Sequence, residues 1–136
     1  MTLEGNGIRT YYAAGNRGEL KWMLKETTAD LVTLKEPGQR SANDAPVHVR
    51  LDPGWVWSAD GNRIVGRVEK TTPAPEHRDI PWTLFRIASP ADSGALRGVR
   101  YIQWISTHAG RPPDRLPARA GEVLRVPFYA RYGLYH

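Results

Sequence analysis

The side chains best suited to chemistry lie on the longest apolar stretch of the chain. Gln103 is an uncharged amide among apolar residues, and its hydrogen-bonding groups need partners if it is buried. Strict strand alternation places Tyr101, Gln103 and Thr107 on one face, which we expect to point into a lumen, with Trp104 pointing outward. His108 ends the stretch, where it could act as a general acid–base. We therefore predict Gln103, His108 and Tyr101 as catalytic residues; a Gln103 that ties a neighbouring backbone group in a packed core is the alternative.

Aromatic residues are the second group with functional potential. The chain has five tryptophans and six tyrosines among 136 residues. Buried together, they would form either an ordinary packed core or the wall of a cavity with polar handles. For the cavity, the predicted ligand-binding residues are Tyr12, Trp22, Trp57, Trp82, Thr107 and Tyr129.

Several kinds of chemistry lack their residues in this sequence. There is no cysteine, which excludes thiol catalysis, disulfides and cysteine-held metal clusters. The four histidines show neither HxH nor HxxxH spacing, so we expect no metal site. Nucleotide-binding glycine loops and a nucleophile elbow are missing, and Ser106 with His108 lacks the acid of a triad. We expect no cofactor and no covalent nucleophile.

The elements that would position these side chains are short strands. Eleven prolines and thirteen glycines favour many turns, and the dominant hydrophobic period is two. Asp60-Gly61 predicts a tight hairpin turn. The predicted strands are 8–14, 19–25, 30–35, 47–51, 54–58, 63–69, 80–88, 99–108 and 122–132.

These strands predict an all-β fold in one domain spanning residues 1–136. The architecture is a single-domain antiparallel barrel, lipocalin-like or similar, or a barrel-like sandwich of eight to nine strands. Residues 1–7 and His136 are expected to be flexible.

Charge and hydropathy limit the partners. The net charge is +5, but the arginines are spread along the chain without a basic run, which disfavours nucleic acid. No apolar run approaches the ~20 residues of a membrane helix, so no membrane partner is expected. Met1–Gly7 lacks the regions of a signal peptide, so we expect a cytoplasmic protein. A homodimer is an open possibility.

Motifs spread along the chain resemble DUF3455, a bacterial and fungal family of uncharacterised proteins. The resemblance covers about residues 7–135. The motifs are Trp22-Met23-Leu24-Lys25, Ala29-Asp30-Leu31, His48 before Pro53-Gly54-Trp55, Asp60-Gly61-Asn62, Val65-Gly66, Ile80-Pro81-Trp82, Val99-Arg100-Tyr101-Ile102-Gln103 and Val126-Pro127-Phe128-Tyr129-Ala130. The resemblance implies no established reaction. Family members usually carry a signal peptide and cysteines, and tend to have arginine and asparagine where this chain has Trp104 and Ser106. These departures imply a divergent, intracellular, cysteine-free member.

The function expected from these residues is the binding of a small apolar molecule in a β-barrel. Its catalytic form would be a cofactor-independent cyclase or isomerase, in which an aromatic cavity folds a secondary-metabolite-type substrate. A non-catalytic ligand carrier needs the same cavity and is the alternative. A barrel that binds single-stranded nucleic acid through arginine and aromatic stacking is a third, less favoured reading.

Overall fold

The computed structural model describes residues 1–15, 19–34 and 46–136 as a closed antiparallel β-barrel. Each strand pairs with the next, and β1 also pairs with β8. The strands are β1 (Thr2–Ala14), β2 (Lys21–Thr33), β3 (His48–Asp52), β4 (Val56–Ala59), β5 (Asn62–Thr72), β6 (Trp82–Ser89), β7 (Tyr101–Ala109) and β8 (Val123–Tyr135). The predicted all-β antiparallel barrel is therefore confirmed, with eight strands in simple up-and-down order.

The first two strands are longer than the sequence predicts. The predicted flexible segment 1–7 is wrong, because β1 begins at Thr2 and pairs with β2 on one edge and β8 on the other. Glycine lowers strand propensity, but here it makes room: a Cβ at Gly7 would lie 2.5 Å from the Phe128 ring. The predicted strands 19–25 and 30–35 belong to one continuous strand, which begins at Lys21 and ends at Thr33; Lys35 lies outside the described residues.

The Asp60-Gly61 turn forms as predicted. Ala59 pairs with Asn62, so exactly two residues connect β4 and β5. Asp60 and Gly61 both have positive φ, 54° and 77°. That geometry is the one a two-residue hairpin requires, because its twist matches the twist of the strands.

One end of the barrel is closed by the connection between β6 and β7. We call this end of the barrel the closed end. Strand β1 begins at the closed end, and β8 ends there. Leu96 and Val99 in the connection have no exposed surface and join the core cluster. They pack with Leu3 of β1 and Leu134 of β8 in that cluster, so this end offers no entry for a ligand among the described residues.

Aromatic side chains fill the middle of the lumen. Phe85 contacts both Trp57 and Trp104 edge-on, with ring centroids 5.0 and 5.4 Å apart. Trp104 makes a further edge-on contact with Tyr132 at 5.8 Å. Edge-to-face packing of this kind is the favoured geometry of aromatic rings. The centre of the barrel is therefore a packed core, and a ligand must bind elsewhere.

Candidate functional site

The barrel wall has a gap, because β3 and β4 are much shorter than their neighbours. β2 pairs with β3 only from Ala29 to Val32, which leaves its first half without a partner on that edge. β4 pairs with β5 only from Asn62 to Val65. We call the gap between residues 21–28 and 67–72 the side opening. It lies toward the end of the barrel opposite the closed end, which we call the open end.

Two apolar side chains face inward at the side opening yet remain exposed. Leu24 pairs with buried Tyr11, and Val68 pairs with buried Phe85, so both lie on the lumen face. Leu24 is nevertheless 39% exposed and Val68 48%. Inward-facing apolar residues are normally covered, so this rim leaves apolar surface that a ligand could bury.

Trp55 forms the floor of the side opening. It lies in the turn between β3 and β4 with a φ of 58°, a left-handed conformation that is rare for a large side chain. Its ring packs on Phe85 at 4.8 Å and on Trp104 at 5.7 Å. The turn therefore directs an indole into the lumen, and a cleft of about 290 Å³ lies above it, lined by Leu24, Lys25, Glu26, Thr27, Gly54 and Trp55.

Arg9 is a partly buried cation inside the lumen. It lies on β1 opposite Thr27, and its Nε donates a 3.3 Å hydrogen bond to the Thr27 hydroxyl. Its guanidinium lies over the Trp104 ring, 5.5 Å from the centroid. None of the ion pairs among the described residues includes Arg9. Burial, helped by the charge of Arg111, lowers the pKa of Arg9, which reflects a cation that lacks water and a counter-ion.

Two further polar groups near Arg9 have no hydrogen-bond partner in the described part of the chain. These are the Tyr132 hydroxyl and the Trp104 indole N–H, and both residues are fully buried. Burial raises the pKa of Tyr132 well above its usual range, while the nearby Trp104 N–H and then the Arg9 charge act in the opposite direction. Tyr132 is therefore a neutral hydroxyl at physiological pH. Buried polar groups are rarely left unpaired, so these two need an explanation.

The remainder of the open end is tied together by hydrogen bonds. The Tyr11 hydroxyl donates to the Gly110 carbonyl over 2.5 Å, and the Ile80 N–H donates to the Ala109 carbonyl over 3.0 Å. These bonds draw the segments before β6 and after β7 across the lumen. Within the part of the chain that the structure describes, the accessible entry is therefore the side opening.

The predicted catalytic residues do not face the lumen. Gln103 pairs with Gly133 on the outer face, and Tyr101 lies on the same outer side, so the prediction that this face lines the lumen is wrong. Trp104, which the prediction pointed outward, is fully buried inside. A bulge at Ile105 reverses the alternation. His108 is thus exposed on the outer face, its ring 5.8 Å from the ring of Tyr129.

Thr107 and Trp57 are the predicted ligand-binding residues that do lie in the lumen. Thr107 is occupied: its hydroxyl donates a 2.6 Å hydrogen bond to the Ile80 carbonyl. Trp57 is fully buried in the packed aromatic core, and its indole N–H has no partner among the described residues. Both therefore support the barrel from within, and neither lines the cleft.

The other predicted ligand-binding residues are scattered over the outside and the open end. Tyr12 is exposed on the outer face. Trp22 donates from its indole N–H to the Arg115 carbonyl over 3.0 Å. Trp82 is half-buried beside Thr72, and Tyr129 hydrogen-bonds to the Glu4 carboxylate. The structure does not bring these four aromatic residues to one cavity. Tyr12, Trp82 and Tyr129 lie on the outer face, whereas Trp22 lies at the open end opposite the inward-facing Ala13.

Sequence reasoning missed the residues that make up the site. Arg9, Thr27, Trp55 and Tyr132 were absent from the predicted set. A signal for Arg9 was available: it is the one charged residue in the series Leu3, Gly5, Gly7, Arg9, Tyr11 and Ala13, which alternate along β1. A single charge at an otherwise apolar inward register marks a functional position.

A larger depression lies on the outer surface. It measures about 480 Å³ and is lined by Asn6, Gly7, Ile8, Thr28, Ala29, Asp30, Arg50 and Pro127. Arg50 is already paired with Asp52 at 2.8 Å. The side opening is the better candidate site despite its smaller volume, because its Thr27 and Trp55 contact Arg9 and Trp104 of the lumen.

Residues 1–15, 19–34 and 46–136 contain no group of three or more His, Cys, Asp or Glu side chains that could hold a metal ion. No helix in them is long and apolar enough to cross a membrane.

The fold and the site together define a small closed antiparallel β-barrel with an apolar-rimmed opening in its wall. Residues 39–136 match the family described as protein of unknown function (DUF3455), and the chain belongs to that family. No curated protein and no solved structure matches the chain. The matched residues include all of β3 to β8, whereas Arg9 and Thr27 lie before them.

Proposed function

We propose that the protein binds a small molecule with a largely apolar body in the cleft at the side opening. The observation that carries the proposal is the exposure of Leu24 and Val68, which face inward at the rim of an opening floored by Trp55. Small closed barrels can hold one small ligand. Here the ligand lies at the wall, since the centre is packed.

The cleft favours an aromatic or otherwise flat ligand. Apolar burial contributes roughly 25 cal/mol per Å², and the two rim side chains and the Trp55 ring supply the surface. A ring on Trp55 would extend the stack that already includes Phe85 and Trp104. The volume of about 290 Å³ suits a molecule near the lower end of ligand size.

Binding does not require the residues that the sequence suggested for catalysis. Gln103, Tyr101 and His108 lie outside the barrel, so none of them can reach a molecule in the cleft. A cyclisation or isomerisation, and the carrier function that shares its cavity, both stay predictions. The proposal is therefore for ligand binding, which the catalytic function and the carrier function both require.

The neutral fluorescent probe N-phenyl-1-naphthylamine tests the proposal. We expect its emission to rise on binding to the native protein and to reduce tryptophan emission, because Trp55 and Trp104 lie at the site. Val68→Glu places a charge on the rim and should weaken probe binding about tenfold. Val123→Glu is the matched control, since Val123 is a similarly exposed valine on the outer face, and it should leave binding unchanged.

Two results would overturn the proposal. Failure of the native protein to bind the probe at any concentration up to its solubility would show that the cleft is not an apolar site. Equal weakening by the two valine substitutions would show that the probe binds to surface patches and not to the side opening. Circular dichroism of both variants verifies that each remains folded.

A further inference from the structure

We propose that the ligand carries a carboxylate, which Arg9 binds inside the side opening beneath the apolar rim. This inference rests on the proposed function and specifies the chemical class of its ligand. It makes Arg9 the residue that orients the molecule, with the apolar body toward Trp55 and the charged end toward the lumen.

The unpaired polar groups at this place are all of one kind. Arg9 offers guanidinium N–H groups, Trp104 an indole N–H, and the neutral Tyr132 a hydroxyl hydrogen. The last two meet no partner at full hydrogen-bond geometry within the described residues, although the Trp104 N–H lies close to the Tyr132 hydroxyl oxygen. Arg9 bonds to the Thr27 hydroxyl and lies beside the Tyr11 hydroxyl, but no carboxylate of the described residues pairs with it. A partly buried guanidinium without a carboxylate partner fits an oxyanion.

The described residues bring no anion to Arg9. Asp79, a buried carboxylate in the segment before β6, accepts the Ala109 N–H over 2.6 Å and is not among the charges that shift the pKa of Arg9. The inward positions of the described strands, read from the pairing registers, hold no aspartate or glutamate. Glu26 lines the cleft but pairs with Thr10 on the outer face. A partly buried cation without a counter-ion is costly, and a bound carboxylate would remove that cost.

The donors are continuous with the cleft. Thr27 lines the cleft and accepts the hydrogen bond from Arg9 Nε. The Arg9 guanidinium lies over Trp104, which in turn contacts the Trp55 floor at 5.7 Å. Thr27 thus joins the cleft to Arg9, and a molecule seated on Trp55 would reach the guanidinium beside this residue.

Charge at the open end also favours a monovalent anion. Arg111 is close enough to lower the pKa of Arg9 by repulsion, and Lys25 lines the cleft. A guanidinium matches the two oxygens of a carboxylate with a pair of parallel hydrogen bonds. One guanidinium at the centre of the site suits one negative charge.

The test compares two probes that differ only in this group, 1-naphthaleneacetate and 1-naphthaleneacetamide, by isothermal titration calorimetry. We expect the native protein to bind the carboxylate at least tenfold more tightly than the amide. Arg9→Met should bring that ratio to about one, and Arg9→Lys should retain most of it. Arg125→Met is the control, because Arg125 is exposed on the outer face of β8 opposite Thr10, and it should leave the ratio unchanged.

The outcomes separate this inference from the proposed function. Equal affinity of the native protein for the two probes would overturn the carboxylate inference while leaving apolar binding in place. A preference that survives in Arg9→Met would also overturn it, since the anion would then be held elsewhere. If neither naphthalene probe nor N-phenyl-1-naphthylamine binds, the proposed function fails as well. If Arg9→Met does not fold, the ratio of the native protein's affinities for the two naphthalene probes decides whether the carboxylate inference stands.

Discussion

Two tyrosines in the lumen differ in one hydrogen bond, and replacing each with phenylalanine should change stability in opposite directions. Tyr132 is fully buried, and its hydroxyl has no partner among the described residues. Tyr11 is 4% exposed, and its hydroxyl donates to the Gly110 carbonyl. The pair is matched in residue type, burial and location. The hydrogen bond is the main difference between them.

The magnitude follows from the cost of an unpaired polar group. Burial of a hydroxyl without a partner costs about 1–3 kcal/mol on the scale of protein mutations. Removing the oxygen leaves a void of about one water probe, roughly 10–15 Å³. At ~24 cal/mol per Å³ that void costs roughly 0.3 kcal/mol. Tyr132→Phe should therefore raise the free energy of unfolding by about 1–2.5 kcal/mol.

The partner substitution has the opposite sign. Tyr11→Phe removes the hydrogen bond to Gly110 and leaves its carbonyl without that donor. We expect it to lower the free energy of unfolding by about 1–3 kcal/mol. Urea denaturation followed by tryptophan fluorescence measures both variants, and an unchanged m-value shows that the comparison is of stability alone.

A loss of stability in Tyr132→Phe greater than about 1 kcal/mol would refute the reasoning, because it would mean that the hydroxyl is satisfied in solution. The same variant also bears on the site. If Tyr132 is retained in order to bind a carboxylate, Tyr132→Phe should gain stability while losing affinity for 1-naphthaleneacetate. A gain in stability without a loss of affinity would remove Tyr132 from the site.

Three further predictions concern the lumen. Gly66→Ala should lower the free energy of unfolding by about 1–3 kcal/mol, because the added Cβ would lie 2.8 Å from the packed Trp57 ring; an unchanged urea midpoint would contradict the packing. Thr107→Val should lower it by about 1–3 kcal/mol through loss of a buried hydrogen bond, without changing probe affinity; lost affinity would restore Thr107 as a ligand-binding residue. Burial raises the pKa of Tyr11 and Tyr132, so the unfolded chain ionises first and stability should fall as the pH rises above about 10. Tyrosinate absorbance should therefore show two groups that titrate later than free tyrosine, and their absence would argue against the burial.

The architecture was predictable because it depends on pattern and turn chemistry. Alternating hydrophobicity indicated most strands, and Asp60-Gly61 gave the tight turn between β4 and β5. The predicted strands end at residue 25 and resume at residue 30, although Thr27 and Thr28 between them suit a strand well. The barrel closes by pairing β1 with β8, whose paired residues are more than a hundred positions apart in the chain. No local sequence pattern predicts such a pairing.

The site was not predictable to the same degree, and the bulge at Ile105 shows why. One additional residue in β7 shifts the register against β8, so side chains before and after it follow different alternations. Gln103 and Thr107 are four residues apart and would share a face in a regular strand. The structure places Gln103 outside and Thr107 inside. The bulge therefore separates Gln103 and Tyr101, which lie on the outer face, from Thr107, which faces the lumen.

The shortness of β3 and β4 connects the fold to the proposed site. A barrel with eight strands of equal length would cover its own wall and bury Leu24 and Val68, and its lumen would be fully enclosed. Here the hairpin of β3 and β4 stops at the level of Ala29 and Val65, and Trp55 in its turn folds inward under the gap. The same short hairpin thus provides both the opening and the floor of the cleft. Arg9 lies on β1, the neighbour of the β2 edge of this gap, so that a ligand would contact both the floor and the adjoining wall. The floor and this wall have different positions relative to the family match: residues 39–136 contain the aromatic floor, and the cation precedes them. Apolar binding and anion selection are therefore separable properties of this barrel, and substitutions on β1 should alter the second without removing the first.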